Sequence, residues 1–391
     1  MDEPASEAEL LSAFPRSIAN WRAMQAGVAP ESTLEMRLYS DAWFTDEARD
    51  LGPYSFLNTI AHASANVEQQ LKPGIVLRGS VHLSRSVPDM SRTSDDNYHG
   101  GDLFDELTAI ASLILGTRLM AGPPDREYRA GGDPMGQPRA YQFNAAPFLP
   151  PRAQAPQIPR LFGEAKLGAL RRLQSLPSLP PAEARALIKC ARLYQEALWI
   201  ADADPGMSWL LLVSAVETAA GCRDAAEVSP RERLEASFPR VTKLLAEGGA
   251  EGLIDPVAEA LKGVIGATGK FVRFLEDFAR EEPAIRPHQF CRFDFAPGNV
   301  RSAAKKIYQY RSRALHGGTP FPAPMCIPPS SSYDTGGIRD EVPPGLASSV
   351  AGATWLREDA PMHLHVFEHL ARTAILGWWA HLCPDELRAT G

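Results

Sequence analysis

The pattern of apolar and polar positions changes period near residue 160. Before it, Thr33 to Trp43 (TLEMRLYSDAW) and Ile75 to Ser84 (IVLRGSVHLS) alternate apolar with polar side chains. That period of two is the mark of half-buried strands. Tyr54 to Leu71 is looser and fits helix or loop, and Phe14, Ile18 and Trp21 suggest a short helix or an arm near the start. Asp102 is placed to cap a helix over Leu103 to Leu119, where Leu103, Leu107, Ile110, Leu113 and Ile114 recur at helical spacing. The segment before it, Asp89 to Gly101, is polar and turn-rich; its Asp95, Asp96 and His99 mark either a recognition loop or a solvated one. Arg126 to Phe143 sets Gly131, Gly132, Pro134, Gly136 and Pro138 between two β-prone arms, as in a hairpin with a long loop.

Pro147, Pro150, Pro151, Pro156 and Pro159 then make residues 145–160 a stiff, extended connector and a natural boundary. From Leu161 onward the periodicity is helical, with almost no β signal. Pro181 opens a helix to about Ala203, a position where its missing N–H is not needed. Pro205 opens the next, whose centre WLLLVSAVETAA is apolar nearly all round and belongs in the middle of a bundle. Further helices are predicted over Arg231 to Glu247, Pro256 to Glu282 with an interruption near Gly266 to Gly269, Pro297 to His316 and Ala360 to Leu382. The long Gly317 to Ser349 stretch is rich in Pro, Gly and Ser, a loop free to lie over a site. The expected fold class is α+β: a mixed α/β module over 1–144, the connector, and an all-α bundle over 161–391.

Composition adds bounds. A chain of 391 residues, 45% hydrophobic and 22% charged, is that of a soluble globular protein able to bury its core without staples. The acidic start MDEPASEAEL is unlike a signal peptide, and no apolar run nears the roughly 18 residues of a membrane span, so a cytoplasmic location without membrane contact is expected. The five scattered cysteines contain no CxxC pair and imply neither a zinc site nor a disulfide framework.

Candidate chemistry concentrates in Lys305 to Gly318, KKIYQYRSRALHGG. No acidic residue occurs from Val300 to Tyr333, whereas Arg301, Lys305, Lys306, Arg311 and Arg313 are basic. In a chain of net charge −7 this is a local positive island of the kind that attracts phosphate. Arg311 offers a charged planar fork suited to phosphate oxygens, and His316 a group that titrates near neutrality. Together they suffice to cut RNA without a metal. General acid–base work contributes about 10² to 10⁴ in rate, and one preorganised charge-stabilising donor about 10² to 10³. The bland reading is a basic helix end closed by a glycine cap.

The segment IYQYRSRALHGG resembles the Y-x-x-R-S-x-x-x-H-G signature of the HEPN superfamily, and especially its Apea-like branch, with Tyr308, Arg311, Ser312, His316 and Gly317 matching in order. SWLLLVSAVETAAG, containing Glu217, and ATGKFVRFLEDF are similar to that family's early and middle helices; the resemblance spans residues 180–385. It implies a metal-independent endoribonuclease of bacterial defence or toxin systems, with no cofactor and with RNA as substrate. Its site would form across a homodimer of the helical part. Arg311 would stabilise the scissile phosphate, His316 act as general acid or base, and Ser312 modulate them. The alternative, ranked second, is an inactive member that dimerises, or binds RNA or nucleotide, within a larger assembly. The N-terminal module lies outside it and would sense a trigger or a regulatory partner.

Geometry refines the picture. Five residues on an ideal helix turn the side chains roughly 140° apart, so Arg311 and His316 do not share a face. Ser312 and Arg313 are the same-face neighbours of His316. Either the helix loosens at the glycines, or the partner arginine comes from a second subunit; the long loop after Gly318 is a further source for the missing half. Lys305 and Tyr308 lie on the same basic stretch as possible substrate contacts, and Glu217, a lone carboxylate in an apolar helix, calls for a partner such as Arg311 or Arg313. Two other runs carry less. GVIGATGK (Gly263 to Lys270) lacks the glycine spacing and the hydroxyl residue of a phosphate loop. HLHVFEH, with His363, His365, Glu368 and His369, lacks the HExxH order, so no metal is assigned.

Overall fold

The computed structural model describes residues 13–59, 71–83, 91, 93–139, 146–150, 155–223, 229–261, 266–279, 281–331, 337–342, 345 and 347–384. The start of the chain, parts of Tyr54 to Leu71, of the Pro-rich connector and of Gly263 to Lys270, and residues 140–143 of the Arg126 to Phe143 hairpin lie outside the described residues; the rest of that hairpin forms, with Arg126 opposite Pro138.

The period-2 segments form an antiparallel sheet. Its strands are β1 (Ser32–Ser40), β3 (Ala48–Leu51), β4 (Tyr54–Asn58), β5 (Lys72–Val81), β6 (Met120–Arg129) and β7 (Gln137–Pro138), in the order β3-β4-β5-β1-β6-β7. Register places Met36 opposite Leu77 and Arg37 opposite Val76, so Met36, Leu38, Ile75 and Leu77 all turn to one buried face. The other face is polar, with Arg37 Nη2 2.7 Å from Asp125 Oδ1 and Arg78 paired to Glu35. β1 and β6 slip where Met36 meets Pro124, since proline has no N–H to give the ladder. Tyr54 to Leu71 therefore begins with a strand that its loose pattern hid: Tyr54 and Phe56 face inward, and only five residues carry the signal.

Helix α1 (Arg16–Gln25) and α2 (Leu103–Leu115) cover the buried face. Asp102 opens α2 through a capping box with Asp105, and Gly116, in the left-handed region at φ 66°, ends it four residues short of the predicted Leu119. α2 sits close over β5: a Cβ on Gly79 would lie 2.6 Å from Phe104.

Beyond the connector the chain is less purely helical than expected. β8 (Glu164–Lys166) returns to pair in parallel with β2 (Trp43–Thr45), and a 12-residue 3₁₀ segment, Leu167–Ser178, follows. The bundle comprises α3 (Pro181–Ile200), α4 (Pro205–Cys222), α8 (Ala267–Phe278), α9 (Pro297–Gly317) and α10 (Leu364–Leu382). α4 lies between the others, as its all-round apolarity requires, with Trp209 stacked between Phe321 and Phe367 at 5.5 and 5.0 Å. Three short helices stand on a separate small core of Leu234, Ile254 and Ala258: α5 (Pro230–Ser237), α6 (Pro239–Glu247) and α7 (Ile254–Ala260). Pro239 divides the single helix predicted from Arg231 to Glu247, because it can only start a helix, not continue one. The segment after α9 is not featureless: it holds a 3₁₀ turn (Ala323–Cys326) and a hairpin, β9 (Ala347–Val350) with β10 (Ala353–Leu356). Among the described residues, no helix is long and apolar enough to cross a membrane.

The fold is thus α+β, and one hydrophobic core runs from the sheet through α2 into the bundle. Arg118, 2% exposed, ties the two parts together, with Nη1 2.6 Å from Asp41, Nη2 2.7 Å from Asp202, and Nε donating to the Leu198 carbonyl. Removing one partner of such a buried set costs about 3–5 kcal/mol, because the others stay buried without compensation. Arg118→Met is therefore expected to lower unfolding stability by about that amount. Chemical denaturation measures it; a loss below about 1 kcal/mol, the value of an exposed pair, would contradict this role.

Candidate functional site

α9 is a regular helix that carries most of the candidate residues. Its N-terminus starts at Pro297, and its buried face (Val300, Ala303, Ala304, Ile307, Tyr308) packs on α8 and α4. It continues through Gly317, which is its last residue and not its cap. Gly318 takes the left-handed conformation at φ 61°, and its N–H donates to the Arg313 carbonyl. The loosening that would bring Arg311 and His316 together on one chain does not occur. With the helix regular to its end, their side chains leave it roughly 140° apart. No hydrogen bond joins them among the described residues.

Each turns to a different environment. Arg311 faces α4, where its Nη2 lies 2.8 Å from Glu217 Oε2. The Tyr308 hydroxyl donates to the other oxygen, Oε1, also at 2.8 Å. Glu217 thus has Arg311, one of its two expected partners, and gains Tyr308. The Arg311 guanidinium lies 5.7 Å from the Tyr308 ring centre, and its buried Nε–H has no acceptor among the described residues. Burial, with the adjoining carboxylate, pushes the Tyr308 hydroxyl up to about 12, so it remains a donor across the neutral range. The side chains of Arg311 and Glu217 are 22% and 21% exposed, placing the group at the rim of the bundle where a solute can reach it.

His316 lies at the exposed end of the helix. Lys305, Gln309, Ser312 and His316 recur at i, i+4, i+7 and i+11, within a sector of about 60°, and form an open polar stripe. Gln309 was missed from the sequence because an uncharged amide carries no motif; only the helical phase singles it out. Arg313, four residues after Gln309, is exposed beside this stripe, 5.8 Å from the Tyr310 ring centre.

The positive island is weaker in space than along the chain. Arg301 pairs with Glu276 of α8 at 2.7 Å, Lys306 with Asp359 at 2.9 Å, and Arg311 with Glu217. These carboxylates come from distant segments, so a linear charge count cannot see them. Lys305 and Arg313 remain as exposed cations. The segment after α9 returns to it through this contact, with Tyr310 donating to the Asp359 carbonyl at 2.6 Å.

The other candidates take structural places. His99 turns inward against Glu106 at 2.7 Å, and that carboxylate also accepts from the backbone N–H groups of Arg16 and Ser17 at the start of α1. Asp95 and Asp96 stay exposed. The histidines of α10 diverge. His363 is buried at its N-terminus, 6.1 Å from the stacked His365 ring; His365 lies 3.5 Å from Asp340, and His369 meets the Glu281 carbonyl at 2.7 Å. Glu368 points into the core and is paired with Arg160. Among the described residues, no three His, Cys, Asp or Glu side chains gather where a metal ion would sit. Gly266 takes a left-handed conformation and opens α8.

Comparison with protein-family models, with curated proteins and with solved structures finds no match.

Burial, reinforced by His365, pushes the His363 imidazole down from 6.5 to about 4. A depressed folded value means that the unfolded chain takes up the proton first. The contribution is whole above pH 6.5 and is lost as pH falls to about 4, a span worth at most about 3 kcal/mol. The stability difference between wild type and His363→Asn should therefore shrink over that window. A difference that stays flat from pH 7 to 4.5 would refute the assignment.

Proposed function

We propose that the chain is a metal-independent endoribonuclease of the HEPN type, cytoplasmic, acting in bacterial antiviral defence or as a growth-arresting toxin. His316 takes the proton of a ribose 2′-hydroxyl and Arg311 stabilises the charge that builds on the phosphorus oxygens. The 2′-oxygen displaces the 5′-oxygen, which takes a proton from water as the His316 imidazolium returns its own to solvent, leaving a 2′,3′-cyclic phosphate and a 5′-hydroxyl. The N-terminal sheet module restrains or triggers this activity.

The observation that supports this reading best is the divergence on α9. Arg311 and His316 lie on separate flanks of one regular helix, each partly open to solvent, so a site needing both is completed by two copies. Lys305, Gln309, Ser312 and His316 then offer a polar track to the sugar–phosphate chain, to which cations and neutral donors both bind. One observation favours a second reading, an inactive subunit that dimerises or binds RNA or nucleotide: Arg311 is already neutralised by Glu217 and serves the bundle as a strut.

Purified protein incubated with total RNA separates the two. Under the first reading cleavage persists in EDTA, products end in 2′,3′-cyclic phosphate, and Arg311→Ala and His316→Ala each lower the rate at least about 10²-fold with unchanged melting temperature. A mixture of the two variants recovers activity, because a mixed dimer assembles one intact site. Cleavage that survives His316→Ala, or stops with chelator, rejects this mechanism; binding without turnover in wild type supports the second reading.

A further inference from the structure

Glu217 holds its two oxygens against two different donors, Arg311 Nη2 and the Tyr308 hydroxyl, each at 2.8 Å. One anion received by a cation and a hydroxyl is the arrangement that also receives a phosphate oxygen pair. The carboxylate arrives from α4, which packs against α3, α8 and α10, yet its oxygens reach the rim, where Arg311 and Glu217 are 22% and 21% exposed. The grip is incomplete: Nη2 meets the carboxylate, while the buried Nε–H of the same fork has no acceptor among the described residues. A structural ion pair built for strength would engage the fork with two nitrogens.

From this we infer that Glu217 is an internal occupant of the phosphate position, so that Arg311 and Tyr308 form an anion site closed by the chain's own carboxylate until RNA displaces it. The inference rests on the proposed role of Arg311 and adds a regulation to it. In the closed state the carboxylate repels a second anion; in the open state Arg311 and Tyr308 turn their donors to the phosphodiester. Glu217 is then a positioning and gating residue, not a catalytic one, because it leaves before the reacting atoms arrive.

The test uses the full chain and a short RNA made uncleavable by 2′-O-methyl groups, with inorganic phosphate as a second probe. Glu217→Gln keeps the shape and removes the charge. It is expected to tighten binding of both probes about fivefold to tenfold, the size of one partly screened charge interaction. Arg311→Ala added to it should cancel the gain, and Tyr308→Phe should halve it or more. Binding by Glu217→Gln that is unchanged or weaker, in a protein that melts as wild type does, overturns the inference and makes Glu217 a strut. If Glu217→Gln unfolds, Glu217→Asp replaces it: the shorter carboxylate loses reach to Arg311 and should also tighten binding. Failure of the nuclease reading shows separately, since Glu217→Gln can gain affinity while no variant cleaves RNA. Conversely, cleavage can depend on Arg311 and His316 with no gain from Glu217→Gln.

Discussion

The structure depends on one fully buried carboxylate. Glu368 of α10 is paired with Arg160 and accepts a hydrogen bond from the Tyr194 hydroxyl of α3. Burial alone would raise its pKa; the Arg160 guanidinium more than reverses this and holds it below the ordinary value. Arg160 also donates to the Gly116 carbonyl at 3.1 Å, while Arg372 donates to the carbonyls of Leu113 and Ile114. These are the last carbonyls of α2, where the helix dipole is negative and has no internal partners. One acid and two arginines thus join the helix that covers the sheet to two helices of the bundle. The Glu368 charge is tolerable in the core only because the arginine paired with it and the Tyr194 hydroxyl are present.

That arrangement bears on the candidate site by way of α4. With α3 and α10 packed on it, α4 is enclosed along its middle and approaches the rim towards its ends. Glu217 falls in its later half, facing α9. α9 is held from the other side by Asp359, which takes both the Lys306 ammonium and, through its carbonyl, the Tyr310 hydroxyl. The phase of α9 is therefore set by contacts on two flanks, and the polar stripe from Lys305 to His316 is left outward by default. The site is ion-paired where Arg311 sits and open to solvent where His316 sits.

Much of this was legible in the sequence, for definite reasons. Long segments with one strong period were readable: β1 and β5 from alternation, α3, α4 and α9 from helical spacing with proline at the start, and α10 from helical spacing alone. The capping role of Asp102 followed from its place before an apolar run. Short elements were not. Tyr54–Asn58 and Glu164–Lys166 are strands because of what they pair with, and three to five residues carry too little pattern to announce it. At the site, Arg311, His316 and the need of Glu217 for a partner were readable from residue type and spacing. The neutralisation of Arg301 and Lys306, and the alignment of Gln309 with His316, were hidden because they depend on elements far away in the chain or on an undistorted helix.

The parallel pairing of β8 with β2 has a practical bearing on dissection of the chain. Trp43 N–H donates to Gly163 O at 3.1 Å, and Phe44 lies opposite Ala165, so the last structural pairing of the sheet side is supplied by residues that follow the proline-rich stretch. An expression boundary drawn through those prolines would leave β2 without its mate and the end of α2 without Arg160 and Arg372. Fragments meant to isolate either part should run past Lys166 from the front, or keep α2 with the bundle, or they will expose core that the intact chain conceals.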